Sequence, residues 1–130
     1  MPLFFCFQTK TLKTMTEKEM NRSFYDLVVK MRRWQKSYFA TQDKGFLETS
    51  LKPIEREICR RLQSETPKLE TAREFRKAVR AMMHWQEAYF KTFSNENLKR
   101  ARMWERYIDK WILKTEDAIN EAMEPKLQFE

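Results

Sequence analysis

The sequence has one glycine, Gly45, and only four prolines in 130 residues. That is too few turn-formers for an all-β fold. A single glycine also excludes the Gly-rich loops that cradle phosphates in the usual nucleotide-binding proteins. The two cysteines, Cys6 and Cys59, are too few and too far apart for a disulfide framework, so a reducing cytoplasm is the expected setting. The only histidine, His84, has neither cysteine at ligand spacing and belongs to no Glu-x-x-His pair. No metal and no cofactor are therefore expected. No apolar run approaches the roughly 20 residues of a membrane span, so no membrane partner is expected. The apolar stretch Leu3-Phe4-Phe5-Cys6-Phe7 is too short for a signal-peptide core and no basic residue precedes it. Residues 1–14 are expected to be a poorly ordered segment, with Met15 as a candidate start.

Catalytic residues are not expected either. No Ser–His–Asp or Cys–His arrangement is indicated, and His84, between Met83 and Trp85, reads as a surface or boundary residue of a helix. The carboxylates sit at helical salt-bridge spacing, as in Asp26 with Lys30, rather than gathered. The expectation is a protein that is not an enzyme.

What the chain does have is charge and rings. Lys and Arg total 26 against 19 acidic residues, a formal net charge of +7, and 14% of the residues are aromatic. A basic balance suits nucleic acid, an anionic membrane or an acidic protein, and equally a solvated set of helix faces.

The organising feature is a repeat. Met31-Arg32-Arg33-Trp34-Gln35-Lys36-Ser37-Tyr38-Phe39-Ala40-Thr41 returns 51 positions later as Met82-Met83-His84-Trp85-Gln86-Glu87-Ala88-Tyr89-Phe90-Lys91-Thr92. The offset also pairs Phe24 with Phe75, Val28 with Val79 and Leu47 with Leu98. Once one residue is dropped, Glu55-Arg56 falls on Glu105-Arg106 and Ile58 on Ile108. This reads as a duplicated unit of about 50 residues.

The apolar positions 24, 28, 31, 34 and 38, and their partners 75, 79, 82, 85 and 89, step by three and four. That is one face of an α-helix. Leu47, Leu51, Ile54, Ile58 and Leu62 do the same, as do Leu98, Ala101, Trp104, Ile108 and Trp111. Each unit is thus a helical hairpin. The expected fold is all-α: two tandem hairpins forming a four-helix bundle, with unit one over 15–66, unit two over 67–124 and a short C-terminal tail.

Local signals set the expected ends. Thr16 with Glu19 and Thr71 with Glu74 fit capping boxes, Asp43 fits an N-cap, and Ser94 or Asn95 should cap the last helix. The first helix should bury Leu27, Trp34 and Tyr38 as well as Phe24, Val28 and Met31. Lys30, Arg32, Arg33 and Lys36 should lie on its outer face. Pro53 predicts a kink, or a restart capped by Ser50. Pro125 should end the last helix, whose late acids, Glu116, Asp117 and Glu121, are solubilising or dock on a basic helix.

Trp34, Gln35, Tyr38 and Phe39, with Trp85, Gln86, Tyr89 and Phe90, form the repeated motif, as structural elements or a paired binding site. The two glutamines predict a repeated hydrogen bond to the neighbouring helix backbone or the turn. Basic residues form two rows at helical spacing: Arg73, Arg76 or Lys77, Arg80 and His84, then Lys99, Arg102, Arg106, Lys110 and Lys114. Such rows suit phosphates, although most neighbouring rings are expected in the core.

The motif resembles a group of small helical proteins of bacterial phages and mobile elements, with the pattern Met-Arg-x-x-Gln-x-x-Tyr-Phe-x-Thr-x-Asp, then Leu-x-x-Ser-Lys-x-x-Glu. Met31, Arg32, Gln35, Tyr38, Phe39, Thr41 and Asp43 match its first part. Leu47, Ser50, Glu55 and Ile58 match the second when one extra residue is allowed. In unit two Met82, Gln86, Tyr89, Phe90, Thr92, Leu98, Glu105, Ile108 and Asp109 match, with Ser94 in place of Asp. The resemblance covers most of 24–112 and implies an accessory protein, but no activity. The expectation is a non-enzymatic interaction protein with a protein partner. The alternatives are a nucleic-acid-binding module using the two basic rows, and a homodimer.

Overall fold

Thr16 opens the first helix with a complete capping box. Its hydroxyl accepts the Glu19 N–H at 3.1 Å, and the Glu19 carboxylate accepts the Thr16 N–H at 3.0 Å. The computed structural model describes residues 15–123, which are all-α. The expectations for residues 1–14 and for Pro125 lie outside the described residues. Helix α1 spans Glu17–Thr41 and closes on Gln42, whose left-handed backbone (φ 57) lets its N–H donate to the Tyr38 carbonyl at 2.6 Å.

Asp43 then caps α2, accepting the N–H groups of Gly45 at 3.0 Å and Phe46 at 3.2 Å. Helix α2 has three parts: Lys44–Phe46, a π-helical turn Leu47–Leu51, and Lys52–Ser64. Ser50 caps nothing, contrary to the expected restart. The backbone stays right-handed through Leu51, and the Lys52 N–H donates to the Leu47 carbonyl five residues back. The wide turn takes up one extra residue immediately before Pro53, which has no N–H to give. The sequence match between the two halves changes its offset across this same stretch, from 51 at Leu47 to 50 at Glu55.

The expected capping box at Thr71 is not formed. Helix α3 spans Glu70–Thr92, so Thr71 already lies inside its first turn. The cap comes instead from α1, where the Glu17 carboxylate accepts the N–H groups of Lys68 at 2.9 Å and Leu69 at 2.8 Å. These bonds hold the Glu17 carboxyl below its ordinary range. At the far end Phe93 repeats the geometry of Gln42, with φ 53 and its N–H on the Tyr89 carbonyl at 2.6 Å. Helix α4 spans Asn95–Met123. Of the two candidate caps, Ser94 does the work, accepting the Asn97 N–H at 3.3 Å.

The chain divides into two compact units, Met1–Arg73 and Glu74–Glu130, each built on one hairpin. The division falls later than the expected 66/67 because the linker is tied to the first unit by Glu17 and by Arg73, whose guanidinium donates to the Lys68 carbonyl at 2.8 Å. Unit one buries Phe24, Val28, Met31, Leu51, Ile54, Ile58 and Leu62. Unit two buries Phe75, Ala78, Val79, Met82, Ala101 and Ile108.

The buried faces of α1 and α3 are rotated from the expected ones. The buried lines are Phe24, Val28, Met31, Gln35 and Phe75, Val79, Met82, Gln86, in steps of four, three and four. Leu27, Trp34, Tyr38, Trp85 and Tyr89 border these lines and are half-buried. Arg32, expected outside, is buried, because its Nη1 donates to the Gln35 Oε1 at 2.6 Å on the buried side of α1.

Candidate functional site

The repeated glutamines do not bond to backbone as expected. Each donates to a carboxylate on the second helix of its own hairpin. Gln35 Nε2 reaches Glu55 Oε2 at 2.9 Å, and Gln86 Nε2 reaches Glu105 Oε2 at 2.8 Å. In unit one Arg32 extends the chain to Arg32–Gln35–Glu55. Burial raises the Glu55 carboxyl above its ordinary range, against the opposing effect of the Gln35 bond and the Lys52 charge. Arg61, which sequence reasoning did not single out, is a second buried clasp of unit one. It donates to Glu65 at 2.9 Å, Ser23 Oγ at 2.8 Å and the Met20 carbonyl at 3.1 Å.

The rest of the motif builds the hairpin ends. Thr41 and Thr92 donate to the carbonyls of Ser37 and Ala88 and accept the N–H groups of Asp43 and Ser94. Tyr38 packs on Phe39 at 5.8 Å between ring centroids, and Tyr89 on Phe90 at 5.4 Å. Phe39 and Phe90 remain exposed. Trp34 carries Lys30 over its ring at 4.8 Å, and Trp85 carries Arg100 at 4.7 Å.

Of the two basic rows only that of α4 forms a continuous outer band. On α3, Arg76 is buried, a correction to its expected place among the phosphate contacts, because it lies one position beyond Phe75 on the buried side. The Arg73 guanidinium is engaged with linker carbonyls. Lys77, Arg80 and His84 are exposed, and the His84 ring packs edge-on to Trp85.

On α4, Lys99, Arg102, Arg106, Lys110 and Lys114 are all exposed. The two carboxylates within that stretch, Glu105 and Asp109, are half-buried, and Glu105 is held by Gln86. Among the described residues, no ion pair found engages these five cations. On the other helices some exposed cations have carboxylate partners, as in Arg22–Asp26, Lys52–Glu48, Arg60–Glu57 and Lys91–Glu87.

The rings on α4 also lie further out than expected. Trp104 and Trp111 are half-buried, and Tyr107, packed edge-on against both at 5.6 and 5.8 Å, is 49% exposed. Met103 and Leu113 are exposed as well. Tyr107, Trp111, Lys110 and Lys114 line a shallow hollow. The first hairpin supplies an internal contrast. Under the repeat offset, Glu48 stands where α4 has Lys99, and Glu57 where α4 has Tyr107.

Among the described residues no group of three or more His, Cys, Asp or Glu is placed to hold a metal ion. No described helix is long and apolar enough to cross a membrane. Compared with protein-family models, curated proteins and solved structures, the chain matches none.

Proposed function

We propose that this is a non-enzymatic interaction protein that works through the outer face of α4 and takes an anionic macromolecule as its partner. One observation carries the reading. The five cations of the α4 row lie exposed, beside exposed Met103, Tyr107 and Leu113, with no exposed carboxylate between Lys99 and Lys114. A band of one sign raises the local concentration of oppositely charged partners, and apolar side chains within it give contact area once the partner arrives. The resemblance carried by Met31, Gln35, Tyr38, Phe39 and Thr41 supports a setting as an accessory protein of a phage or mobile element. The exposed thiol of Cys59 suits a reducing cytoplasm.

Site-specific photocrosslinking of the full chain tests the surface. A benzophenone side chain is placed at Met103, exposed on α4, in one variant and at Arg33, exposed on α1, in another. Adducts with a host macromolecule from position 103 and not from position 33 are expected. Equal yields from both positions, or none from 103, end the reading.

A further inference from the structure

We propose that the partner of this α4 face is single-stranded nucleic acid, with the cation band on the phosphates and Tyr107 as a stacking ring for a base. The proposal rests on α4 being the working surface.

Lys99, Arg102, Arg106, Lys110 and Lys114 follow one another by three, four, four and four residues. Each step of four climbs roughly 6 Å and turns roughly 40° around the axis, so the band runs roughly 22 Å along α4 in a slow spiral. It has a definite end, because the exposed Glu116, Asp117 and Glu121 follow immediately. A phosphate backbone presents one charge per nucleotide at regular intervals, which is the pattern such a band complements.

The rings decide between nucleic-acid forms. Tyr107 lies about 60° around the helix from Lys110, so it flanks the band. Trp104 and Trp111 hold it edge-on from both sides, which fixes its plane while leaving it half exposed. A fixed ring beside a cation row suits bases that are free to leave their own stack, as in a single strand. A duplex keeps its bases stacked inside and would engage the cations alone. An acidic protein would likewise be satisfied by charge without a stacking platform.

The test is fluorescence anisotropy of the full chain against a labelled 20-nucleotide oligo-dT strand and a duplex of the same length. The strand should bind more tightly than the duplex. With five phosphate contacts the slope of log K against log salt should be roughly −3.5, a roughly 100-fold weakening between 50 and 200 mM salt. Lys110→Gln should reduce that slope by about 0.7. Tyr107→Ala should weaken binding at least about 5-fold at every salt concentration and leave the slope unchanged. A variant that merely unfolded would lose slope and affinity together, and far-UV circular dichroism identifies it. Tighter or equal duplex binding, or oligo-dT affinity indifferent to Tyr107→Ala, overturns the proposal. If oligo-dT does not bind while the adducts at position 103 survive nuclease, the nucleic-acid proposal falls and the α4 reading stands. If position 103 gives no adduct, the α4 reading itself falls.

Discussion

Replacing Gln35 with methionine removes the amide bridge of unit one while nearly keeping its volume, so the effect isolates the hydrogen bond from a cavity. Gln35 is 2% exposed and donates to a Glu55 carboxylate that burial already disfavours as a charge. Leaving such an acceptor without its donor costs about 1–3 kcal/mol, towards the upper end when the acceptor is ionised. The sign with pH follows from linkage. The folded-state carboxyl of Glu55 lies above its ordinary value of 4.5, so its contribution to stability is present below that value and is lost as pH rises through the folded-state value. Removing Gln35 takes away one of the influences that lower it, and the loss at neutral pH grows. In acid the carboxyl is protonated in both states, so the Glu55 part of the loss shrinks to a neutral hydrogen bond of about 1 kcal/mol, while the bond that Arg32 Nη1 donates to Gln35 Oε1 is lost equally at both pH values. The penalty should therefore be about 1–2 kcal/mol larger at pH 7 than near pH 3.5. At about 4 °C per kcal/mol, the fall in melting temperature relative to the parent at the same pH should be roughly 4–8 °C larger at pH 7. Thermal unfolding followed by circular dichroism reads both. Equal losses at the two pH values, or no loss at pH 7, would overturn the role given to the Gln35–Glu55 bridge. Glu55→Gln, which keeps an acceptor for Gln35 without the charge, should raise the melting temperature at pH 7.

Four further outcomes are expected. Glu17→Gln should reduce hydrogen-exchange protection of the Lys68 and Leu69 amides while α1 persists. Because bonds from those amides hold the Glu17 carboxyl low, the cap in the parent is present above the ordinary carboxylate range and is lost as pH falls through the lowered value. Deleting Thr49 from the π turn should convert it to ordinary α-helix and shift the melting temperature by only a few degrees, roughly 1 kcal/mol. Deleting Glu57 instead rotates Ile58 and Leu62 by roughly 100° relative to Leu51 and should abolish cooperative unfolding. Gln42→Gly should stabilise by up to about 1 kcal/mol, since φ 57 disfavours a side chain, although the Gln42 Nε2 bond to the Phe39 carbonyl at 3.2 Å is lost.

The hairpins were legible in the sequence because their signals are local: the Thr16–Glu19 box, the Asp43 cap, the three-and-four spacing of apolar residues. The rotation of the buried faces was not, because the fourth member of each line is a glutamine. Hydropathy assigns the inward position to Trp34 and Tyr38 and their counterparts Trp85 and Tyr89. The structure instead completes the line with Gln35 and Gln86, whose amides find carboxylates there. A signal did exist: Gln35 and Glu55 both recur, as Gln86 and Glu105, and two recurring polar residues of opposite helices mark a contact. Arg32 and Arg76 misled for the same reason, since a guanidinium counts as surface until a buried partner or a buried neighbour on the helix is known. The start of α3 was beyond local reading altogether, because its cap, Glu17, lies about 50 residues away in sequence.

The π turn explains why the two hairpins end up alike where it matters and different where they face solvent. Gln35 and Glu55 are 20 residues apart, while Gln86 and Glu105 are 19 apart. An extra residue in a plain α-helix would swing Glu55 roughly 100° away from its partner. Leu47–Leu51 takes up that residue before Glu55 is reached, so the crossing pair is kept. Beyond that point the outer faces diverge. On α2, Lys52 and Arg60 are paired by Glu48 and Glu57. On α4, Lys99 and Tyr107 occupy the positions of those two glutamates, and the helix has neither proline nor wide turn to interrupt the row. The same crossing therefore supports an outer face with two paired cations on one hairpin and an open cationic row on the other. Restoring the carboxylates of the first hairpin, with Lys99→Glu and Tyr107→Glu together, should leave the Gln86–Glu105 crossing and the fold intact while abolishing photocrosslinking from Lys110. A doubly substituted chain that melts like the parent and still crosslinks from Lys110 would show that this face is not the working surface.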